Sequence, residues 1–224
     1  MKKIVLLIIG FFMMMASMYL DFVFVSTPKG EGVEQRILYM MVPSGWLALL
    51  SFGVIFICSI LYLTKRQERW DVIARSAAEI GIVTTSMTLL VGTIWGGARW
   101  GDIWATWRSG EPRLMTTLVL WFIYVAYFLV RSFANEESRG ARFAAVVGIV
   151  GFVDVPIVAL ATTLWPRGMH PPLMVFQGTL PPDILLTLMF SISTFTVLFF
   201  VLLVLRITMA NNEIELRQLR EKVV

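Results

Sequence analysis

Six separate runs of apolar residues, each about the length of a membrane crossing, constrain this chain more than any other feature. Crossing roughly 30 Å of hydrocarbon at 1.5 Å per residue takes about 20 residues. The runs cover residues 4–25, 42–63, 77–95, 114–130, 144–164 and 184–207. Within lipid a backbone must satisfy its own hydrogen bonds, so the runs predict helices rather than irregular segments. The alternating ten-residue segments of a membrane β-barrel are not the pattern here. The expected fold class is therefore all-α, a polytopic membrane protein of six transmembrane helices, with 1–224 as a single integral membrane domain. Composition agrees: 58% of the 224 residues are hydrophobic and 15% charged, too few polar groups to cover a soluble domain and too many apolar ones for disorder. The first run follows Lys2 and Lys3 as a signal peptide would. It is too long for an ordinary h-region, and Phe24-Val25-Ser26-Thr27 offers no small-x-small cleavage site, so an uncleaved helix is expected.

Charge sets the orientation. Lys and Arg on one side of the six runs number 13, from Lys2 and Lys3 through the 65–75 and 131–142 loops to the tail; the other side holds six. The positive-inside rule, applied to loops this short, places both termini in the cytoplasm. The net charge of +4 would suit nucleic acid only if a soluble basic domain carried it, and none is present. The single cysteine, Cys58, lies inside an apolar run and reads as a small buried hydrophobe; it rules out an internal disulfide or a cysteine-cluster metal site. The tail from Asn211 to Lys222 alternates in sign and predicts a solvated helical extension.

Inward loops are short and charged, whereas the outward loops carry Trp, Pro, Gly and the only His. The densest segment runs Trp95-Gly96-Gly97-Ala98-Arg99-Trp100-Gly101-Asp102-Ile103-Trp104-Ala105-Thr106-Trp107, followed by Glu111-Pro112-Arg113. Four indoles within it offer flat apolar surface and N–H donors. Trp100 and Trp104 would share a face of a short interfacial helix, as would Trp104 and Trp107. A belt of interfacial tryptophans needs no ligand, and that reading stands beside a site for a planar apolar cofactor. His170, before Pro171 and Pro172, is either a polar surface residue or an imidazole held in place by restricted chain. Met41, at the end of the first outward loop, is one of 13 methionines, most of which pack. Three acids fall in or near hydrocarbon. Asp21 is within reach of headgroups or Arg36, Glu79 has Arg75 one turn away, and Asp154, two residues before Pro156, is expected to face another helix or take up a proton.

Several of these blocks, in order, resemble the haem-handling membrane proteins of cytochrome c maturation, and most closely their haem exporter protein C (CcmC) branch. The likeness extends from Arg36 to about Leu205. It rests on Tyr39-Met40-Met41-Val42-Pro43-Ser44-Gly45-Trp46, on Trp95-Gly96, Trp100-Gly101 and Trp104, on Arg113-Leu114-Met115-Thr116 and Tyr124 through Arg131, on Gly151-Phe152-Val153-Asp154-Val155-Pro156-Ile157, and on His170. The resemblance implies a haem platform at the outer, periplasmic face of the inner membrane. In that family the Trp-rich segment lies against the porphyrin and two outward histidines bind the iron. Haem is then presented to a membrane-anchored chaperone, with an ABC-type ATPase and other membrane subunits assisting.

The chain departs from the pattern twice. Met41 stands where the family has its first histidine, and the family's Trp-x-Trp-Asp-x-Arg core becomes Trp104-Ala105-Thr106-Trp107 followed by an apparent insertion before Glu111-Pro112-Arg113. With His170 as the remaining strong ligand, the iron would carry Met41 sulfur or water opposite it. A Met ligand would favour ferrous haem relative to two histidines. Arg99, Arg108 or Arg113 would pair with the propionates. The haem-binding set expected from the sequence is thus His170, Met41, Trp95, Trp100, Trp104, Trp107, Arg99 and Arg113, with haem bound transiently and without covalent attachment. No ATP-binding loop and no nucleophile–base pair stands out. Two rival readings remain: a scaffold subunit of the maturation complex that no longer binds haem, favoured by Met41, and a small-molecule or ion transporter, favoured by Asp154 and Pro156.

Overall fold

A computed structural model describes residues 2–27, 32–134, 136–165 and 180–223. All its regular structure is helical among the described residues: α1 (Lys2–Tyr19), α2 (Leu38–Lys65), α3 (Glu68–Trp100), α4 (Ala105–Arg108), α5 (Pro112–Ser132), α6 (Glu137–Gly151), α7 (Asp154–Leu164) and α8 (Pro182–Val223). Six helical spans are long and apolar enough to cross a membrane, with α6 and α7 together forming one of them. The six expected runs are therefore six spans, although their ends differ. The third continues to Trp100, five residues past its expected end, and stops where Gly101 takes a left-handed φ of 73°. A residue without Cβ adopts that conformation at little cost.

The fifth span breaks in the middle. Pro156 has no N–H to give the carbonyl of Phe152 four residues earlier, so the chain there turns with shorter-range bonds, Val153 N to Val150 O and Val155 N to Phe152 O. A turn of π-helix, Leu20–Phe24, follows α1, and a 3₁₀ turn, Val33–Ile37, leads into α2. The tail is helical without interruption from the membrane span, as its charge pattern predicts: the 42 residues of α8 extend about 60 Å, twice the hydrocarbon thickness.

Helices α2 and α3 form the most extensive pair, α5, α6 and α8 pack around them, and α1 packs mainly on α8. The core between them holds Leu47, Phe52, Ile55, Leu120, Tyr124 and Phe199, with Ala77, Ala78 and Ala144 letting backbones approach. Packing and hydrogen bonds hold such a bundle, because lipid supplies no hydrophobic drive between helices. Gly81 shows how tight it is: a Cβ there would run into the phenol of Tyr124, whose hydroxyl donates to Ala48 O at 2.7 Å. Cys58 is buried, as expected.

At the end opposite the Trp segment, Arg131 donates to both carboxylate oxygens of Asp71, at 2.5 and 2.7 Å, joining α5 to α3. Glu79 meets Arg75 one turn away, at 3.5 Å, and also Arg206 of α8, a partner 127 residues on that helical spacing cannot suggest. Of the two partners expected for Asp21, headgroups or Arg36, the structure corrects the second. Asp21 does not pair with Arg36; it accepts hydrogen bonds from Ser191 at 2.9 Å and Ser17 at 3.4 Å, while Arg36 donates to Phe22 O. Asp154 is buried against α5, in keeping with a carboxyl that faces another helix, and its Oδ2 has no hydrogen-bond partner among the described residues.

Candidate functional site

The Trp segment folds back on the end of α3 as a small cap. After Gly101, Asp102 Oδ1 accepts the backbone N–H of Trp104 at 2.9 Å, and the carboxylate also pairs with Arg108. One helical turn, α4, follows. Thr106 then seats against Gly96, where a Cβ would stand 2.8 Å from its methyl, and Trp107 Nε1 donates to Thr93 Oγ1 at 3.0 Å. Gly110, with φ 66°, turns the chain to Glu111, which is buried at the N-terminus of α5 with Pro112 in its first turn. The segment between the Trp cluster and Arg113 is thus a built element with its own ion pair and side-chain hydrogen bonds.

This geometry corrects one expectation. Trp100 and Trp104 do not share a helix face, because Gly101 ends α3 between them and Trp104 begins a separate turn. Trp95 and Trp100 meet edge to face at 5.2 Å instead. Trp104 is 59% exposed beside the exposed Ile103, so this indole projects from the cap surface. Arg99 is exposed in the last turn of α3.

Beneath the cap, among α2, α3, α5, α7 and α8, lies a cavity of about 370 Å³. Its walls are mostly apolar, and Arg113 is the one charged residue among the described residues lining it. Met41 also lines it. The sequence placed Met41 at the end of a loop; it lies in the first turns of α2, buried, with its sulfur 3.7 Å from where a Cβ on Gly92 would stand. Polar groups are few: Thr117 and Thr88 line the wall, and the Thr88 hydroxyl hydrogen-bonds to Ser44 across α2 and α3 at 3.1 Å. Arg113 also feels the opposite charge of Glu111, two residues before it.

Of the expected set, the structure brings Met41 and Arg113 to one cavity. Trp95, Trp100, Trp104 and Trp107 belong to the cap and do not line the cavity; Trp46 does, held by its Nε1 donating to Thr196 Oγ1 at 3.0 Å. Trp46 closes the first block of the family likeness, which was the available signal for it. Arg108 is bound to Asp102 within the cap. His170 lies outside the described residues, so its place relative to the indoles rests on the resemblance alone.

Fold and site together define a polytopic helical membrane protein with an indole-bearing cap at one end and, beneath it, a largely apolar cavity carrying one guanidinium. The family model described as "Heme exporter protein C" (CcmC) matches residues 2–224. Among similar proteins is the "Heme exporter protein C" of Bradyrhizobium diazoefficiens, 32% identical over 193 residues that make up 85% of this chain and 70% of that one. That of Rhodobacter capsulatus is 29% identical over 89% of this chain and 81% of its own, and that of Escherichia coli K12 is 26% identical over 75% and 66%. The chain belongs to the haem exporter protein C family. Its role is haem handling for cytochrome c biogenesis, with haem as substrate. With six membrane-length helices and bacterial relatives of that name, it is a multi-pass inner-membrane protein.

Proposed function

We propose that this chain binds haem at the outer face of the inner membrane and presents it, still releasable, to a membrane-anchored chaperone, assisted by an ABC-type ATPase and other membrane subunits. The observation that carries the reading is that Met41 and Arg113, 72 positions apart in the sequence, line the same cavity under the Trp cap. Its size falls within the range of small-molecule sites, and its apolar walls suit a porphyrin edge. Arg113 would meet a propionate by a charge-assisted hydrogen bond, and desolvation by those walls would strengthen the contact. The exposed face of Trp104, with Ile103 beside it, offers the porphyrin a flat surface on the cap. His170 is the proposed axial ligand, with Met41 sulfur or water opposite. A thioether is a weaker ligand than imidazole, which fits a site that must let its haem go. The protein supplies binding and orientation; the chemistry belongs to the haem and to whatever receives it.

The test is haem titration of the purified protein in detergent, followed by absorption in the oxidised and reduced states. Binding near one haem per chain, with spectrum and occupancy both altered in His170→Ala, supports the reading. Unchanged spectrum and occupancy in that variant reject His170 as ligand, and no binding by the unaltered protein favours the scaffold alternative.

A further inference from the structure

The cavity beneath the cap opens on one side. Among its described lining residues, Trp46 of α2, Ala159 of α7 and Met189 of α8 are exposed, and the others are buried or half-buried. Helix α7 packs on α5, and α8 packs on α1, α2 and α3, but α7 and α8 do not pack closely on each other among the described residues. The mouth therefore lies between α7 and α8, with the Trp46 indole on its floor. Ala159, Met189 and Trp46 lie five, seven and eight residues from the cap-side ends of their helices, about 8, 10 and 12 Å at helical rise. Half of the hydrocarbon is about 15 Å thick, so the mouth faces lipid of the outer leaflet. The cavity is also oriented. Arg113, second in α5, puts its charge near the helix ends, and the wall below is apolar as far as Leu120, seven residues further along.

From this geometry we infer that the cavity is a phospholipid site: one acyl chain of an outer-leaflet phospholipid enters between α7 and α8, and its headgroup phosphate meets Arg113. The walls decide what fills the space. Water needs two to four polar partners, and the wall hydroxyls already donate to backbone, Thr117 to Arg113 O at 2.7 Å and Thr88 to Thr84 O at 2.8 Å. Left unfilled, the lining would forfeit its van der Waals contacts. A phospholipid matches in charge and depth, because its phosphate lies at the interface and its chains run inward from there. The guanidinium has five N–H donors, so the neighbouring Glu111 does not exclude a phosphate. The site stands apart from the haem reading. Taken with it, the acyl chain is what haem displaces on loading and what refills the cavity on release.

The purified full chain, without haem, is placed in phospholipid bilayers doped with a phospholipid that carries a photoactivatable group on an acyl chain, and adducts are mapped by mass spectrometry. Leu90, 66% exposed on α3, reports the lipid around the bundle; Thr117 and Leu120, both buried, report the cavity. The expected result is adducts at both. Arg113→Gln should lower the cavity adducts roughly tenfold and leave those on Leu90 unchanged, and Arg113→Lys, which keeps a charge for phosphate, should retain most of them. A diacylglycerol probe with the same chains but no phosphate should label the cavity as weakly as the phospholipid labels Arg113→Gln. Should Arg113→Gln fail to accumulate, Ala159→Trp, which narrows the mouth from its exposed side, must remove the cavity adducts and spare Leu90. Adducts confined to exposed residues, or cavity adducts equally strong with the diacylglycerol probe, would overturn the inference. Haem titration of the same protein separates the two readings: haem binding without cavity adducts sinks the lipid site alone, and cavity adducts without haem binding support the lipid site and sink the haem reading.

Discussion

Arg113 sits half-buried on the cavity wall with buried Glu111 two residues before it, so its charge is held where a carboxylate from a ligand would feel it strongly. Arg113→Gln should weaken haem binding about ten- to hundredfold, the span of a charge-assisted hydrogen bond, in a haem titration. Trp104 is a different kind of residue. Its exposure means that Trp104→Ala should leave the thermal unfolding temperature of the protein nearly unchanged, yet weaken haem binding roughly three- to tenfold. If haem affinity is unaffected, the indole serves only the membrane interface. The candidate residues were legible in the sequence as types in a pattern, but not as neighbours. Starting the second apolar run at Val42 left Met41 at the end of a loop, whereas the 3₁₀ turn before Leu38 delivers the chain into α2 early and Met41 is buried there. Trp46 reads as one more interfacial indole until the helix face it occupies is known.

Six hydrophobic runs were enough to read six spans, because about twenty apolar residues have few other uses. What crosses between helices was not readable. The Arg131–Asp71 pair joins residues 60 apart and, at 12% and 13% side-chain exposure, is largely shielded from solvent. Removing one partner strands the other, so Arg131→Met should cost about 3–5 kcal/mol in detergent unfolding, and Asp71→Leu combined with it should recover much of that loss. A stable single variant would mean the pair is well solvated. The α3–α5 contact gives a second test. Gly81→Leu should prevent normal accumulation in the membrane, and adding Tyr124→Ala, which removes the colliding phenol, should partly restore it. The midpoint break in the fifth span follows from Pro156 and was half visible: the freed carbonyl was foreseeable, but not that the chain would turn at Phe152 and Val153 and leave Asp154 Oδ2 without a hydrogen-bond partner among the described residues.

For the molecule as a whole, the charge count predicts a definite sidedness, with the Trp cap outside and the α8 extension inside. The chain has one cysteine, and it is buried, so a surface cysteine can be read almost without background. Ser109→Cys should react with a membrane-impermeant maleimide in intact cells, and Asn212→Cys only after permeabilisation; the reverse pattern would invert the topology. The central claim is that the start of α2 and the loop carrying His170 meet on opposite sides of one haem. Its most direct measurement is the absorption spectrum of haem-loaded Met41→His, oxidised and reduced, with and without His170→Ala. The account predicts that Met41→His converts the haem to a low-spin, doubly imidazole-ligated form, and that adding His170→Ala abolishes that form. A spectrum the same as that of the unaltered protein, or a doubly ligated form that survives loss of His170, would contradict it.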